Sequence, residues 1–308
     1  MSEYCIELEN LTKKFGKFTA VDNFSLKLLP GKVYGIIGPN GAGKSTTMAM
    51  IMGSLHPTSG TGNVMGHDLG SKEALQILGY SPEFTSFYDD MSCVEYLWYM
   101  GTLSGLSNEE AMEKAISLIK QYELVDHAHK KVAKFSTGMK KKVSLAQAMI
   151  HDPKILLLDE PTANLDPTSR MEILNTVRTM VKDRNLTVLI SSHVLTELET
   201  VIDHVVMINH GKLIMDEEIS TAQEKFKQGI LVVSCNNNEL LFEKLVGKYT
   251  VETARDSIRI TADDVNNLKK EVVRVIFEND LVLNVLHEEV LSLDLLYKQA
   301  LEGENGNE

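Results

Sequence analysis

The spacing of apolar residues changes several times along this chain, and each change predicts a different kind of element. Apolar and polar positions alternate over about the first thirty residues, with interruptions at Gly16 and Pro30, which predicts short antiparallel strands. Val33–Ile37 is a nearly continuous apolar run, which is typical of a buried strand. Residues 46–52 follow with the composition of a helix. Farther on, Gly60 opens a glycine-rich stretch that suggests another turn and strand.

Helical periodicity replaces this pattern from about residue 88 to residue 150. Ser107 and Glu110 form a capping-box pattern at the start of one helix. Behind it, apolar residues recur at helical spacing, at Ala111, Ala115, Leu118, Ile119 and Tyr122. We expect a helical insertion within a parallel α/β core.

The core pattern resumes with two short runs, Ile155–Leu158 and 187–190, that are apolar or hydroxyl-bearing throughout, as expected of strands buried on both faces. Between them, Asp166 and Pro167 have the residue types of a helix N-cap and first turn, and the helix should reach about Asp183. Strand, helix and strand together predict a parallel crossover unit.

After about Asp216 the chain becomes more polar, which predicts a domain over residues 1–216 and a second, α+β domain over residues 217–302. The pattern predicts a split βαβ, ferredoxin-like unit followed by one more helix. Its elements are strand 230–234, helix 239–246, strands 249–253 and 257–260, helix 263–277, strand 282–286 and helix 292–301. The tail, residues 303–308, is expected to be disordered.

Charge and composition narrow the class of protein. The 308 residues carry a net charge of −12, which argues against nucleic acid as the main partner. The one basic run, residues 140–142, is interpreted as the solvated face of a helix. Cys5, Cys93 and Cys235 lack metal-ligand spacing and are expected to be small buried hydrophobes in a reducing compartment. No secretory signal or bilayer-spanning run is recognised, so we expect a soluble, cytosolic protein.

A phosphate-binding loop is the most specific motif. The pattern G-x-x-x-x-G-K-[ST] lies between the predicted strand and helix, where glycines let backbone N–H groups face phosphate oxygens. Lys44 is expected to reach the β- and γ-phosphates of a nucleoside triphosphate, and the Ser45 hydroxyl to bind Mg²⁺. The run is Gly38, Pro39, Asn40, Gly41, Ala42, Gly43, Lys44, Ser45 and Thr46.

Three further groups add to the candidate site. Asp159 and Glu160 follow a buried strand, where ligands bind in open α/β sheets, so Asp159 should hold Mg²⁺ and Glu160 should polarise the attacking water. The alternative is a pair of exposed turn carboxylates. Ser136 and Gly138 open a helix as an anion-binding corner or, alternatively, as a plain N-cap. His193 lies at the carboxyl end of the predicted strand 187–190, in the same row as Glu160.

Over about residues 3–216 the ordered motifs resemble those of the ATP-binding-cassette (ABC) ATPases. The resemblance covers the Walker A loop at 38–46, a signature segment at 135–139, the Walker B strand at 155–160, the D-loop at 163–166 and a switch histidine, His193. It implies an α/β fold: a P-loop NTPase (RecA-like) core with an antiparallel β subdomain and a helical subdomain. Phe15 is the residue that would stack on adenine.

The family mechanism is implied by this resemblance alone. Two cassettes pack head to tail, and each ATP lies between the Walker A loop of one copy and the signature of the other. Ser136 and Gly138 would touch ATP across this interface, with Asp166 of the D-loop nearby. Glu160 and His193, with Lys44, would have the catalytic roles. Hydrolysis would power transport through a separate integral membrane permease, on the inner face of the cell membrane.

Three positions depart from the usual family pattern. Glu83 stands where glutamine is usual, and it can still coordinate Mg²⁺ but adds a negative charge. Thr137 replaces a signature glycine, and Met139 replaces a glutamine. Such variants and a C-terminal extension of this size are similar to the bacterial ABC-2 type subgroup that exports drugs, antibiotics, peptides, sodium or polysaccharides.

Two other functions remain as alternatives. One is a soluble ABC-type ATPase switch in translation or DNA repair, and the other is a weakly hydrolysing regulatory cassette. For an exporter, the resemblance implies that a permease helix docks beside Glu83, near a group of aromatic residues. The alternative for that group is core packing; its members are Phe84, Phe87, Tyr88, Tyr96, Trp98 and Tyr99.

Overall fold

The computed structural model describes residues 3–225, 229–262, 264–288, 297 and 300–301. The chain divides into two compact units, Met1–Ile219 and Ser220–Glu308. Most of the predicted helix 292–301 and the whole tail 303–308 lie outside the described residues, so both remain predictions.

The first unit contains most of the regular structure of the chain. In chain order, its strands and helices are β1 (Ile6–Phe15), β2 (Phe18–Leu28), β3 (Val33–Ile37), α1 (Lys44–Ile51), β4 (Ser59–Val64), β5 (His67–Asp68), α2 (Lys72–Ile77), β6 (Leu78–Ser81), α3 (Cys93–Leu103), α4 (Asn108–Gln121), α5 (Thr137–Ala148), β7 (Ile155–Leu158), α6 (Pro167–Arg184), β8 (Thr187–Ser192), α7 (Leu195–Leu198), β9 (His204–Asn209) and β10 (Lys212–Glu218). Helix α8 (Ile219–Lys225) starts at the last residue of this unit, and the rest of it belongs to the second unit.

A six-stranded sheet forms the core of this unit, in the order β10-β9-β3-β8-β7-β6. All neighbouring pairs are parallel except β9 with β10, which is antiparallel. Every residue of β3, β7 and β8 is buried, which explains why these strands are apolar or hydroxyl-bearing without alternation. Helix α6 is the crossover between β7 and β8, as the sequence predicts. The carboxyl ends of β3, β7 and β8 therefore meet at one edge of the sheet.

A second, antiparallel sheet has the order β2-β1-β4-β5. The predicted alternation is present, but it belongs to two long strands, β1 and β2, rather than several short ones. Gly16 lies in the connection between these strands and Pro30 follows β2, while register shifts interrupt the β1–β2 pairing between Leu8 and Lys14. Their apolar residues join a core cluster that also contains Met48 and Ile51 of α1.

The helical insertion contains α3, α4 and α5, and the predicted capping box begins α4. Ser107 Oγ accepts from the Glu110 N–H at 3.2 Å, and Glu110 Oε2 accepts from the Ser107 N–H at 2.9 Å. Ser92 and Glu95 form a second capping box at α3, which the sequence analysis missed. Within the described part of the chain, no helix has the length and apolar character needed to traverse a lipid bilayer.

The second unit has a four-stranded antiparallel sheet in the order β12-β13-β11-β14. This order, with two helices in the connections, is that of the predicted split βαβ unit. One face of the sheet packs on the helices around Leu231, Leu241 and Leu268. Its elements are β11 (Gly229–Cys235), α9 (Asn238–Leu245), β12 (Thr250–Thr253), β13 (Ile258–Ala262), α10 (Val265–Glu278) and β14 (Leu283–Glu288).

The three cysteines are free thiols, and all three are buried. Cys5 Sγ donates to the Leu28 carbonyl at 3.3 Å, and Cys235 belongs to the core of the second unit. Burial of these side chains is what the sequence predicts for small hydrophobic residues.

Candidate active site

The phosphate-binding loop joins the carboxyl end of β3 to the start of α1. A Cβ on Gly38 would lie 2.2 Å from the Ile208 carbonyl oxygen, so no side chain fits there. Gly43 has φ of 110°, and its Cβ would lie 2.6 Å from the Ala20 carbonyl oxygen. These two glycines therefore allow the loop to curl against β9 and β2, with the first turn of α1 directly behind it.

Lys44 is buried at the start of α1 and is held above this loop. Its Nζ donates to the carbonyl oxygens of Gly38 at 2.7 Å and Pro39 at 3.2 Å. The same nitrogen lies 3.6 Å from Glu160 Oε1. A buried ammonium needs partners of this kind, and a phosphate group would give it a stronger one.

Asp159 lies at the end of β7, beside the phosphate-binding loop. Its Oδ1 accepts from Ser45 Oγ at 3.1 Å and from Ser191 Oγ at 2.6 Å. Asp159 is 4% exposed and Glu160 is 6% exposed, so the alternative of exposed turn carboxylates is wrong. Carboxylate and hydroxyl oxygens are ligands that suit Mg²⁺, which also retains waters and substrate phosphates, so Ser45 and Asp159 fit such a site.

Glu160 and His193 are paired at the ends of β7 and β8. His193 Nδ1 lies 2.8 Å from Glu160 Oε2. The His193 side chain is 45% exposed, whereas that of Glu160 is 8% exposed, so the pair reaches from the interior to the surface. Glu160 also has φ of 47°, in the left-handed region. Non-glycine residues in this region cluster at functional sites when surrounding contacts hold them in place.

Ser191 is a residue of this site that the sequence analysis missed. Its Oγ accepts from the Glu160 N–H at 2.9 Å and donates to Asp159 Oδ1 at 2.6 Å. One buried hydroxyl therefore binds both acidic residues. The signal that could have identified it is the pair of consecutive serines, Ser191 and Ser192, at the end of a fully buried strand.

Replacing Ser191 with alanine should lower the free energy of unfolding by about 1–3 kcal/mol, because the buried N–H of Glu160 loses its acceptor. Urea-induced unfolding of the two proteins measures this difference. Ser54→Ala, which removes an exposed hydroxyl, should change stability by less than about 0.5 kcal/mol. Equal stability of Ser191→Ala and the parent would contradict the role assigned to this hydroxyl.

A cavity of about 430 Å³ opens over the phosphate-binding loop. It brings together predicted residues from five separate segments of the chain, including Phe15 and Glu83. Phe15 is half exposed, and Lys13 Nζ lies 5.3 Å from its ring centroid. The lining residues are Phe15, Phe18, Ala20, Asn40, Gly41, Ala42, Gly43, Lys44, Ser45, Thr46, Glu83, Glu160 and His193.

Three predicted residues lie together but not in the lining of this cavity: Ser136, Gly138 and Asp166. Ser136 caps α5, since its Oγ accepts from the Met139 N–H at 3.3 Å, as in the plain N-cap alternative. A Cβ on Gly138 would lie 3.4 Å from Ser169 Oγ, which donates to Asp166 Oδ2 at 2.6 Å. The Ser169 hydroxyl and the Ser169 N–H both donate to the Asp166 carboxylate, and they lower its pKa below the usual value.

A second cavity, of about 290 Å³, has Glu83, Phe84, Phe87, Thr137 and Lys140 among its lining residues. Tyr96 fits the core-packing alternative, since it is buried with its ring centroid 5.1 Å from that of Phe87. Trp98 and Tyr99 are half-buried, whereas Phe84 and Tyr88 are exposed.

The basic run at residues 140–142 differs from its sequence interpretation. The prediction that these lysines lie on a solvated face is wrong for Lys141, which is only 8% exposed. Lys142 forms ion pairs with Glu123 at 3.5 Å and Glu172 at 3.2 Å. Helical phase explains the difference, because Lys141 lies three and four residues before the buried Ser144 and Leu145.

Comparison with known proteins agrees with this geometry. The ABC transporter family model matches residues 21–163. The chain is 37% identical to the uncharacterized ABC transporter ATP-binding protein YxlF of Bacillus subtilis, over 74% of this chain and 76% of that protein. It is also 37% identical to the bacitracin transport ATP-binding protein BcrA of Bacillus licheniformis, over 70% of this chain and 69% of that protein.

Solved structures show the same likeness. The crystal structure of the ADP conformation of MJ1267, an ATP-binding cassette of an ABC transporter, superposes with a TM-score of 0.64. It is 27% identical and covers 70% of this chain and 92% of its own. Sequence, fold and site geometry together lead to one assignment: the chain belongs to the ATP-binding proteins of ABC transporters.

Proposed function

We propose that this chain is the ATP-hydrolysing subunit of an exporter and acts through a separate integral membrane permease. The observation that carries the proposal is the meeting of Lys44, Glu160 and His193 around one cavity, with Asp159 bound to its lining residue Ser45. Similarity to a bacitracin transport protein and the departures at Glu83, Thr137 and Met139 support the exporter subgroup. The protein would then lie on the inner face of the cell membrane, held there by the permease.

In this proposal each residue has a defined task. Phe15 stacks on adenine, and the loop from Gly38 to Thr46 binds the phosphates with Lys44. Ser45, Asp159 and Glu83 would hold Mg²⁺, which would neutralise charge on the phosphates. Glu160 accepts a proton from the attacking water, and His193 holds the Glu160 carboxylate through Oε2.

Glu160 Oε1 faces Lys44 across 3.6 Å, so a bound phosphate and this carboxylate would compete for the same ammonium charge. A bound triphosphate carries more negative charge than one carboxylate and would attract Lys44 more strongly. Glu160 Oε1 would then be available to the water. Nucleotide binding would in this way prepare the base.

Two copies are needed for a complete site in this proposal. Ser136, Gly138 and Asp166 form a group separate from the residues around the phosphate-binding loop, as expected if they contact nucleotide bound to a second copy. The second unit is proposed to be an accessory domain, and removal of residues 217–308 would test whether it contributes to pairing.

The proposal is tested by purifying the full-length chain from detergent-solubilised cells. We expect an integral membrane protein to co-purify and to raise the rate of phosphate release from Mg·ATP. Co-purification of ribosomes or DNA in place of a membrane protein would instead support the switch in translation or repair. Failure to bind or hydrolyse ATP in any preparation would overturn the proposal.

His193→Ala should lower kcat for ATP hydrolysis by about tenfold or more, because Glu160 loses one charge-assisted hydrogen bond. The dissociation constant for ATP should change little, since His193 is not among the groups that hold Lys44. Steady-state hydrolysis and equilibrium binding measure the two quantities. A rate equal to that of the parent would remove His193 from the mechanism.

A further inference from the structure

Lys141 places a buried positive charge directly beside the candidate active site. It projects from α5, and its Nζ donates to the backbone carbonyl oxygens of Glu83 at 2.6 Å and Glu160 at 3.2 Å. These two acceptors belong to different loops, one after β6 and one after β7. Because a buried ammonium is costly without partners, both loops must stay within hydrogen-bonding reach of it.

The contact with Glu160 acts on a strained part of the backbone. Glu160 has φ of 47°, a conformation that costs a non-glycine residue of order 1 kcal/mol or more. Its N–H is held by Ser191 Oγ at 2.9 Å, and its carbonyl accepts from the Ala163 N–H at 3.1 Å and from Lys141. Lys141 thus stabilises the turn that directs the Glu160 carboxylate toward Lys44 and His193.

The charge of Lys141 also lies within a group of acids. Burial lowers the pKa of Lys141, while the negative charges of Glu83, Asp159 and Glu160 act in the opposite direction. Among the residues that the structure describes, Lys44 and Lys141 are the buried lysines, and both lie near Glu160. The helix of Lys141 begins at Thr137, directly after Ser136.

We propose that Lys141 is a positioning residue for ATP hydrolysis, which fixes the Glu160 turn and the Glu83 loop relative to the helix that starts after Ser136. It acts through the two backbone carbonyls that accept from its Nζ. This inference rests on the proposed function. It predicts an effect on the hydrolytic step rather than on nucleotide binding, since Lys44 and the phosphate-binding loop are left unchanged.

Three variants of the full-length chain test this role through kinetics. Lys141→Met should lower kcat by about 10–100-fold, as expected when a reacting group is displaced by roughly 1 Å. Its KM and its dissociation constant for ATP should stay within about threefold of the parent values. Lys141→Arg, which keeps the charge and donors, should restore most of kcat. Lys142→Met, one residue away on the same helix, is the matched control and should resemble the parent.

Hydrogen–deuterium exchange tests the same role without relying on hydrolysis. In Lys141→Met, peptides covering residues 81–86 and 159–164 should exchange faster, and in Lys142→Met they should not. Circular dichroism checks folding, and if Lys141→Met is unfolded, Lys141→Gln takes its place with the same expected results.

Parent-like exchange in both peptides, or parent-like kcat in an active preparation, would overturn the role of Lys141. Equal loss of kcat in Lys141→Met and Lys142→Met would also overturn it, because the effect would then belong to the helix surface. An inactive parent protein would instead count against the proposed function, and the exchange result would still decide the role of Lys141.

Discussion

Replacing Glu160 with glutamine should lower the rate of ATP hydrolysis by about 10²–10⁴-fold, the usual contribution of a positioned general base. Glutamine has nearly the same shape but cannot accept the proton of the attacking water. The backbone contacts of Glu160 with Ser191 and Lys141 do not involve its side chain, so the turn should be retained. ATP binding should therefore persist, and two copies should stay associated around unhydrolysed ATP.

Phosphate release measures the first effect, and size-exclusion chromatography with light scattering in Mg·ATP measures the second. Glu113→Gln, at an exposed position on α4, is the matched control and should hydrolyse ATP at the parent rate. If Glu160→Gln turned over ATP like the parent, Glu160 could not be the base.

Lys44→Ala should weaken the binding of Mg·ATP by about 10–100-fold, which corresponds to the loss of one charge-assisted hydrogen bond to phosphate. The loop loses the Lys44 hydrogen bonds to the Gly38 and Pro39 carbonyls, but Gly38 and Gly43 still allow its close approach to the backbone of Ile208 and Ala20, so it should largely keep its shape. The effect should appear in binding as well as in hydrolysis, in contrast to Glu160→Gln.

Isothermal titration calorimetry with Mg·ATP measures the affinity. The control is Lys32→Ala, which removes an ion pair with Glu218 at the surface and should leave ATP affinity unchanged. Urea unfolding is measured for Lys44→Ala as well, because Glu160 loses a buried partner. An ATP affinity equal to that of the parent would exclude Lys44 from phosphate binding.

The sequence alone predicts those parts of the fold whose patterns lie within a few consecutive residues. The strand–loop–helix around Lys44, the strand before Asp159 and the capped helix after Asp166 each lie within a few consecutive residues, so their patterns predict them directly. The strands β6, β9 and β10 were not predicted. β6 is only four residues long, and β10 of the β9–β10 hairpin runs through the change in composition at Asp216.

The candidate site was predictable only where a motif marks it. Ser191 and Lys141 have no such motif, because their roles come from contacts 31 and 19 residues away with the backbone of Glu160. The two neighbouring lysines also hid the role of Lys141, because a run of three lysines predicts a solvent-exposed helix face. The phase of α5 against the core places its ammonium inside, and this phase depends on packing that a single sequence does not specify.

The burial of all three thiols has a practical consequence for spectroscopy. The thiolate is the form that reacts with maleimides, and burial raises the pKa of Cys93 to about 11 and also raises that of Cys5. Cys235 is only 6% exposed. A fluorophore should therefore attach selectively to one cysteine engineered at the surface, such as Ser104→Cys, without removal of the native residues. Distances between labelled copies could then be followed through a cycle of nucleotide turnover.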